Sequence, residues 1–335
     1  MARRPVFFSA LFLFALAGAS MPVATASPRL PLALLEVTAP SARISGAPGS
    51  MQIVERGCRM QADASLRERI VLTAIQEWAF FGYSLYDLTA SAGNDSPYRR
   101  RGRTPIAADE ALRVAASIGG YWSATPNSDW ILAEQNQSWQ RFGADSRWRN
   151  PWSAAFISWI MCEAGLGESE RFARAVAHHA YIDQAISARD RGDPQAAYHA
   201  FDSGETRVEP GDMLCRGSRP DYRTIAQRRA QLGEGARTHC DIVVKVDADN
   251  ARFLVIGGNV RGWVRLKLLP GAVDSTGKLV PAPFSGRRIF AHLKLQAGSV
   301  PAGYFDASLR RGMASCSTTL AALEAARIVS GQHCS

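Results

Sequence analysis

Three residues in this chain have types and spacing suited to nucleophilic hydrolysis: Ser153, His239 and Asn259. Ser153 follows Asn150-Pro151-Trp152 at the head of an apolar run that reaches Met161. Proline suits the start of a helix because its missing N–H would lack an intrahelical partner there anyway. Asn150 before it is a good N-cap residue. A serine in the first turn then sits among free backbone N–H groups at the positive end of the helix dipole, where developing negative charge is favoured. A hydroxyl is a weak nucleophile until a base takes its proton, and histidine is the usual base. His239 opens the apolar strand 240–246, which is followed by the turn Asp247-Ala248-Asp249-Asn250-Ala251. A hairpin centred on Asp249 sets Asn259 opposite His239, and directly opposed residues of an antiparallel pair share a face. Gly257-Gly258 permits the close approach such a corner needs. The expected set is Ser153 as nucleophile, His239 as general base and acid, and Asn259 as the group that fixes the imidazole tautomer. The backbone N–H of Ser153 would support an oxyanion.

Other polar groups carry less chemistry. His179 and Asp183 lie four apart on one helix face, but no third ligand has matching spacing, so no metal or cofactor is expected. Asp212, in Pro210-Gly211-Asp212, reads as a structural turn cap. Cys162 is nine residues beyond Ser153 and half a revolution away on the same helix, so it cannot replace the serine. Cys240 adjoins His239 but should point to the opposite face of the strand, with Ile242 and Val244.

The elements that must position these groups come in a simple order. Apolar periodicity predicts helices over 64–81, 107–118 (ending at Gly119-Gly120), 150–161 and 169–189, with a short one over 193–201. A tryptophan-rich irregular segment fills 121–149, and 91–106 reads as an exposed loop carrying Arg99-Arg100-Arg101-Gly102-Arg103. Strands follow at 213–215, 240–246, 252–256 and 262–268, with a polar insertion over 216–238. Helices followed by a small antiparallel β-sheet give an α+β fold. The tail holds one further helix, over 318–329.

Residues 1–26 have the Arg3-Arg4, apolar and Ala24-Thr25-Ala26 pattern of a signal peptide, which implies an exported protein, periplasmic or secreted. No later apolar run is long enough for a transmembrane segment. Residues 27–50 read as a flexible N-terminal arm, 51–270 as the main domain and 271–335 as a C-terminal extension. Six cysteines in an oxidising compartment favour disulfides; sequence leaves fifteen pairings open, of which Cys58–Cys162, Cys215–Cys240 and Cys316–Cys334 is the one carried forward as a guess. Removing Arg3 and Arg4 takes the formal charge from +9 to +7, which suits an anionic envelope polymer or membrane surface. The charges are scattered and lack interleaved aromatics, so a nucleic-acid partner is not expected.

Pro151-Trp152-Ser153-Ala154-Ala155-Phe156-Ile157-Ser158-Trp159, then Pro210-Gly211-Asp212-Met213, His239-Cys240-Asp241-Ile242-Val243-Val244 and Ile256-Gly257-Gly258-Asn259-Val260, resemble the motif order of CHAP and NlpC/P60 cell-wall hydrolases. Over residues 65–270 the chain resembles more closely the bacterial DUF2272 family, in which serine commonly stands at the usual cysteine position. The resemblance implies a papain-like, NlpC/P60-type domain acting on amide bonds, with peptidoglycan peptides as the substrate. It also implies a cleft near Trp152, Asp212 and a histidine at 178 or 179. A hydroxyl's far higher pKa denies the thiolate–imidazolium route open to a cysteine. Two functions are therefore carried forward: a serine-type amidase or peptidase, and a catalytically inactive cell-wall-binding module on the same fold.

Overall fold

The computed structural model describes residues 37–60, 66–89, 105–313 and 317–330. The expected signal peptide, the basic run at 99–103 and both Cys316 and Cys334 lie outside the described residues.

A short ribbon of β1 (Ile44–Ser45) and β2 (Gln52–Ile53) precedes the main sheet. Seven strands of that sheet run in the order β3 (Leu85–Asp87), β8 (Trp263–Val273), β7 (Arg252–Val260), β6 (Arg237–Asp247), β5 (Met213–Arg219), β10 (Ala291–Leu295) and β4 (Tyr198–Asp202). β9 (Leu279–Pro281) extends the pairing of β8, making eight strands. β3 runs parallel to β8 and every other neighbour is antiparallel. The class is α+β, but the sheet is a large mixed one rather than the small antiparallel one expected. The difference comes from β3, β4 and β10, strands of three to five residues that are too short to show a period of two. Tyr198 and Ala200 are buried on β4, where a short helix was expected.

Three helices, α1 (Leu66–Phe80), α3 (Ala115–Ser123) and α5 (Ser153–Glu163), contribute to the main core together with one face of the sheet. Trp78, Tyr121, Phe156 and Trp159 bury there against Ile242, Val244, Leu254 and Ile256. α5 is buried at every position from Ala154 to Glu163, as its all-round apolar sequence requires. The opposite face of the sheet carries a smaller cluster of Val243, Phe253, Val255 and Leu269 under Phe284 and Ile289.

Four expectations change. The tryptophan-rich segment contains α4 (Asp129–Phe142), which buries Ile131, Leu132, Gln135, Ser138 and Trp139 on one side. α2 (Ala108–Arg113) and α3 replace the single helix over 107–118, and α3 continues through Gly119-Gly120. A Cβ at Gly120 would stand 1.8 Å from the Pro40 carbonyl oxygen, so this glycine admits a neighbouring backbone rather than ending a helix. That neighbour belongs to residues 37–50, which were expected to be a flexible arm. They are anchored: Arg43 is 3% exposed, ion-paired with Glu163 of α5, and donates to the Gly57 carbonyl. Finally, α6 (His179–Arg191) begins ten residues later than expected, so His178 stands at its N-cap position.

The Cys58–Cys162 and Cys215–Cys240 disulfides are both formed. Beyond residue 270, the supposed extension supplies β10, which lies between β5 and the edge strand β4. α8 (Tyr304–Gly312) and α9 (Thr318–Ala325) follow, and Phe305, Leu309, Leu320 and Leu323 bury in the main core. α7 (Ile225–Arg229) is the one helix inside the polar 216–238 stretch.

Candidate functional site

Ser153 is the first residue of α5, at the expected helix start, but Pro151 lies before the helix rather than opening it and the expected cap is absent. Trp152 occupies the N-cap position with no side-chain cap bond, and Asn150 donates to Glu134 instead. Gly258 sets the height of this helix over the sheet. A Cβ there would lie 2.6 Å from the Phe156 Cβ, so α5 rests on bare β7 backbone.

The partner of the Ser153 hydroxyl is His178, not His239: Oγ lies 2.7 Å from His178 Nε2. The other ring nitrogen, Nδ1, meets the Tyr181 hydroxyl and the backbone N–H of Cys240, the latter at 3.3 Å. That N–H is free for a reason written in the sheet. Cys240 and Cys215 face each other with Cα atoms 4.1 Å apart, as in a non-hydrogen-bonded antiparallel pair. The Cys240 N–H therefore points away from β5, towards β7, and the β6–β7 ladder ends at Ile242↔Ile256. His178 Nδ1 takes the vacant place.

This bond fixes the tautomer. A backbone N–H can only donate, so Nδ1 carries the lone pair and Nε2 carries the proton. Burial holds His178 well below the usual histidine range, so the ring is neutral. Burial raises the Tyr181 phenol, which stays protonated and donates. His178 therefore donates to Ser153 Oγ.

His239 is 5.1 Å from His178, ring centre to ring centre, and belongs to a different network. Its Nε2 lies 2.9 Å from Asp241 Oδ1, and Lys267 closes an ion pair with the other Asp241 oxygen. Lys267 comes from β8 and Asp241 from β6, with β7 between them. Gly257 makes the reach possible: a Cβ there would lie 1.9 Å from Asp241 Oδ1. Burial lowers His239 to about 4, against the pull of Asp241, and lowers Lys267 to about 8. The buried Asp241 is held well below the usual carboxylate range by His239 and Lys267, which outweigh its desolvation.

Asn259 does not orient His239. The hairpin register near this corner is the expected one, since 242 opposes 256, but the ladder stops short of 239 and 259. β7 bulges between Gly257 and Val260, and Asn259 takes a left-handed φ of 55°. Asn259 and His239 instead line a shared cavity of about 390 Å³ with Arg216, Lys267 and Arg287. Asn259 also borders a second cavity of about 170 Å³, walled by Trp148 and Trp152. Ser153 lines neither.

Of the other expected cleft residues, Trp152 is 1% exposed, against Phe81 and Tyr121. His179 Nδ1 faces the Ala236 amide, 3.2 Å from its carbonyl oxygen, and Asp183 pairs with Arg228. Asp212 is fully buried and binds Arg67, His292 and the N–H groups of Glu209 and Leu295, a structural junction. The residues the sequence reading missed are Tyr181, Asp241 and Lys267. His178-x-x-Tyr181 has the spacing of one helix face, and His239-x-Asp241 that of one strand face. Lys267, with Arg265, interrupts an otherwise apolar strand.

The family model for DUF2272, an uncharacterized protein conserved in bacteria, matches residues 109–293, more than half of the chain. The chain belongs to the DUF2272 family. The matched DUF2272 segment spans Ser153, His178, Tyr181, His239, Asp241 and Lys267, and leaves out α1, α8 and α9. No curated protein and no solved structure matches the chain.

Proposed function

We propose that this DUF2272 chain is an exported, non-hydrolytic binding module for an envelope polymer such as peptidoglycan, on a papain-like, NlpC/P60-type layout. One observation carries the reading: the Cys240 N–H occupies His178 Nδ1, so the imidazole presents a proton, not a lone pair, to Ser153. A serine facing an imidazole N–H has no base. In serine proteases, holding the histidine in the wrong tautomer costs about ten-thousand-fold in kcat. His239, the base expected from sequence, is committed to Asp241. Two disulfides support export.

A second reading, a serine-type amidase, is favoured by the 2.7 Å Ser153–His178 contact at an uncapped helix start. It requires His178 to exchange the Cys240 bond for an Nδ1–H tautomer. Purified sacculi separate the two. The mature chain should co-sediment with sacculi and release no soluble fragments detectable by mass spectrometry, and Ser153→Ala should leave binding unchanged. Fragment release by the wild type that disappears in Ser153→Ala would overturn the binding-module reading.

A further inference from the structure

The face of the sheet opposite α5 holds a cavity whose charge is unbalanced. Arg216 and His239 are paired across β5 and β6, so their side chains share this face. Lys267 forms the floor, and Arg287 enters from the turn that bridges Phe284 and Arg287. The acidic group beside them is Asp241, and both of its oxygens are already taken, one by His239 and one by Lys267. The guanidinium groups of Arg216 and Arg287 have neither a hydrogen-bond nor an ion-pair partner among the described residues. Burial lowers the pKa of Arg216, and although Asp241 opposes this, the proximity of Arg287 adds to it, so Arg216 would gain from a further counter-charge.

We propose that this cavity is a binding site for a doubly charged oxyanion group, a phosphate or a pair of carboxylates, held by Arg216 and Arg287 over Lys267. Guanidinium groups present N–H forks that match such oxygens two at a time. At about 390 Å³ the cavity exceeds the volume of the anionic group itself, so the group is the end of a larger ligand. The site deepens the binding-module reading by naming what is bound, and it stands apart from Ser153, which does not line it.

Inorganic phosphate, succinate and acetate, titrated into the mature chain at fixed ionic strength and followed by calorimetry, test the site. Saturable one-to-one binding of a dianion, at least tenfold tighter than acetate, is expected. Phosphate ahead of succinate would assign the phosphate source, and the reverse order the dicarboxylate. Arg216→Gln and Arg287→Gln should each weaken the dianion at least tenfold. Arg191→Gln, an exposed arginine on another element, should not. Arg287 is exposed, so its variant keeps the test valid if Arg216→Gln folds poorly. Absence of saturable dianion binding, or equal binding by wild type and Arg287→Gln, overturns the site. Sacculus binding that survives such a result would leave the module reading intact, and sacculus cleavage would overturn that reading alone.

Discussion

Two histidines whose rings lie 5.1 Å apart are held in opposite ways. His178 is surrounded by uncharged partners, a serine, a tyrosine and a backbone amide, and each of its nitrogens has one defined role. His239 sits in a charged lattice with Asp241 on its own strand and Lys267 two strands away, across β7. The first arrangement joins two helix starts to one strand N–H that the β-ladder leaves free. The second depends on long-range register and on a missing side chain at Gly257. Proximity to a serine therefore does not make an imidazole a base. What occupies its far nitrogen decides, and here the sheet decides that.

The sharpest way to break the contrast is to remove Asp241. Asp241→Ala leaves Lys267 buried without a counter-charge and should cost about 3–5 kcal/mol of stability, read as a drop in the urea midpoint. Replacing both partners with apolar residues, Asp241→Leu with Lys267→Met, should recover most of that loss. A single variant as stable as wild type would show that the ion pair is not the anchor of this face.

Acid should act on both histidines together. Each has a folded pKa below the unfolded value, His239 at about 4 and His178 in the same direction. Between about pH 6.5 and 4 the unfolded chain takes up protons that the fold refuses, so stability falls as pH falls. The slope approaches about 1.4 kcal/mol per pH unit for each histidine. Urea titrations at pH 7, 6 and 5 should show it, and His239→Gln should remove its share of the slope. A flat profile would contradict the burial argument.

The smallest effect should come from Tyr181→Phe, about 1 kcal/mol for one hydrogen bond. The Cys240 N–H remains, so nitrogen chemical shifts should report an Nε2–H tautomer at His178 in both proteins. A switch to Nδ1–H in the variant would mean that the tyrosine, not the sheet, sets the tautomer, and would give Ser153 its base.

The sequence made α1, α5 and the long strands β6, β7 and β8 legible, because each has strong periodicity; residue type favoured disulfides, but spacing left their pairing open. Ser153 could be placed because a proline and an apolar run mark a helix start. His239 and Asn259 could be placed in register but not in contact, since a bulge is a departure from the period on which register arguments rest. His178 was given only as one of two adjacent histidines, because the helix was expected to begin ten residues earlier. Gly257-Gly258 was read as room for a close approach. Each glycine instead serves a separate face, one clearing Lys267's path to Asp241 and the other seating Phe156. Lys267 was overlooked because a lysine in an apolar strand is visible only once its partner on a non-adjacent strand is known.

The place of β10 also governs the order in which the molecule can be assembled. Its residues come almost at the end of the sheet's sequence, yet they fill the gap between β5 and β4. Until residues 291–295 are available, two strands expose bare hydrogen-bonding edges that other chains can capture. The sheet closes by a late, long-range insertion, a topology that slows folding and lengthens the aggregation-prone interval. A chain shortened after residue 270 would keep both histidine networks' residues but remain permanently in that open-edged state.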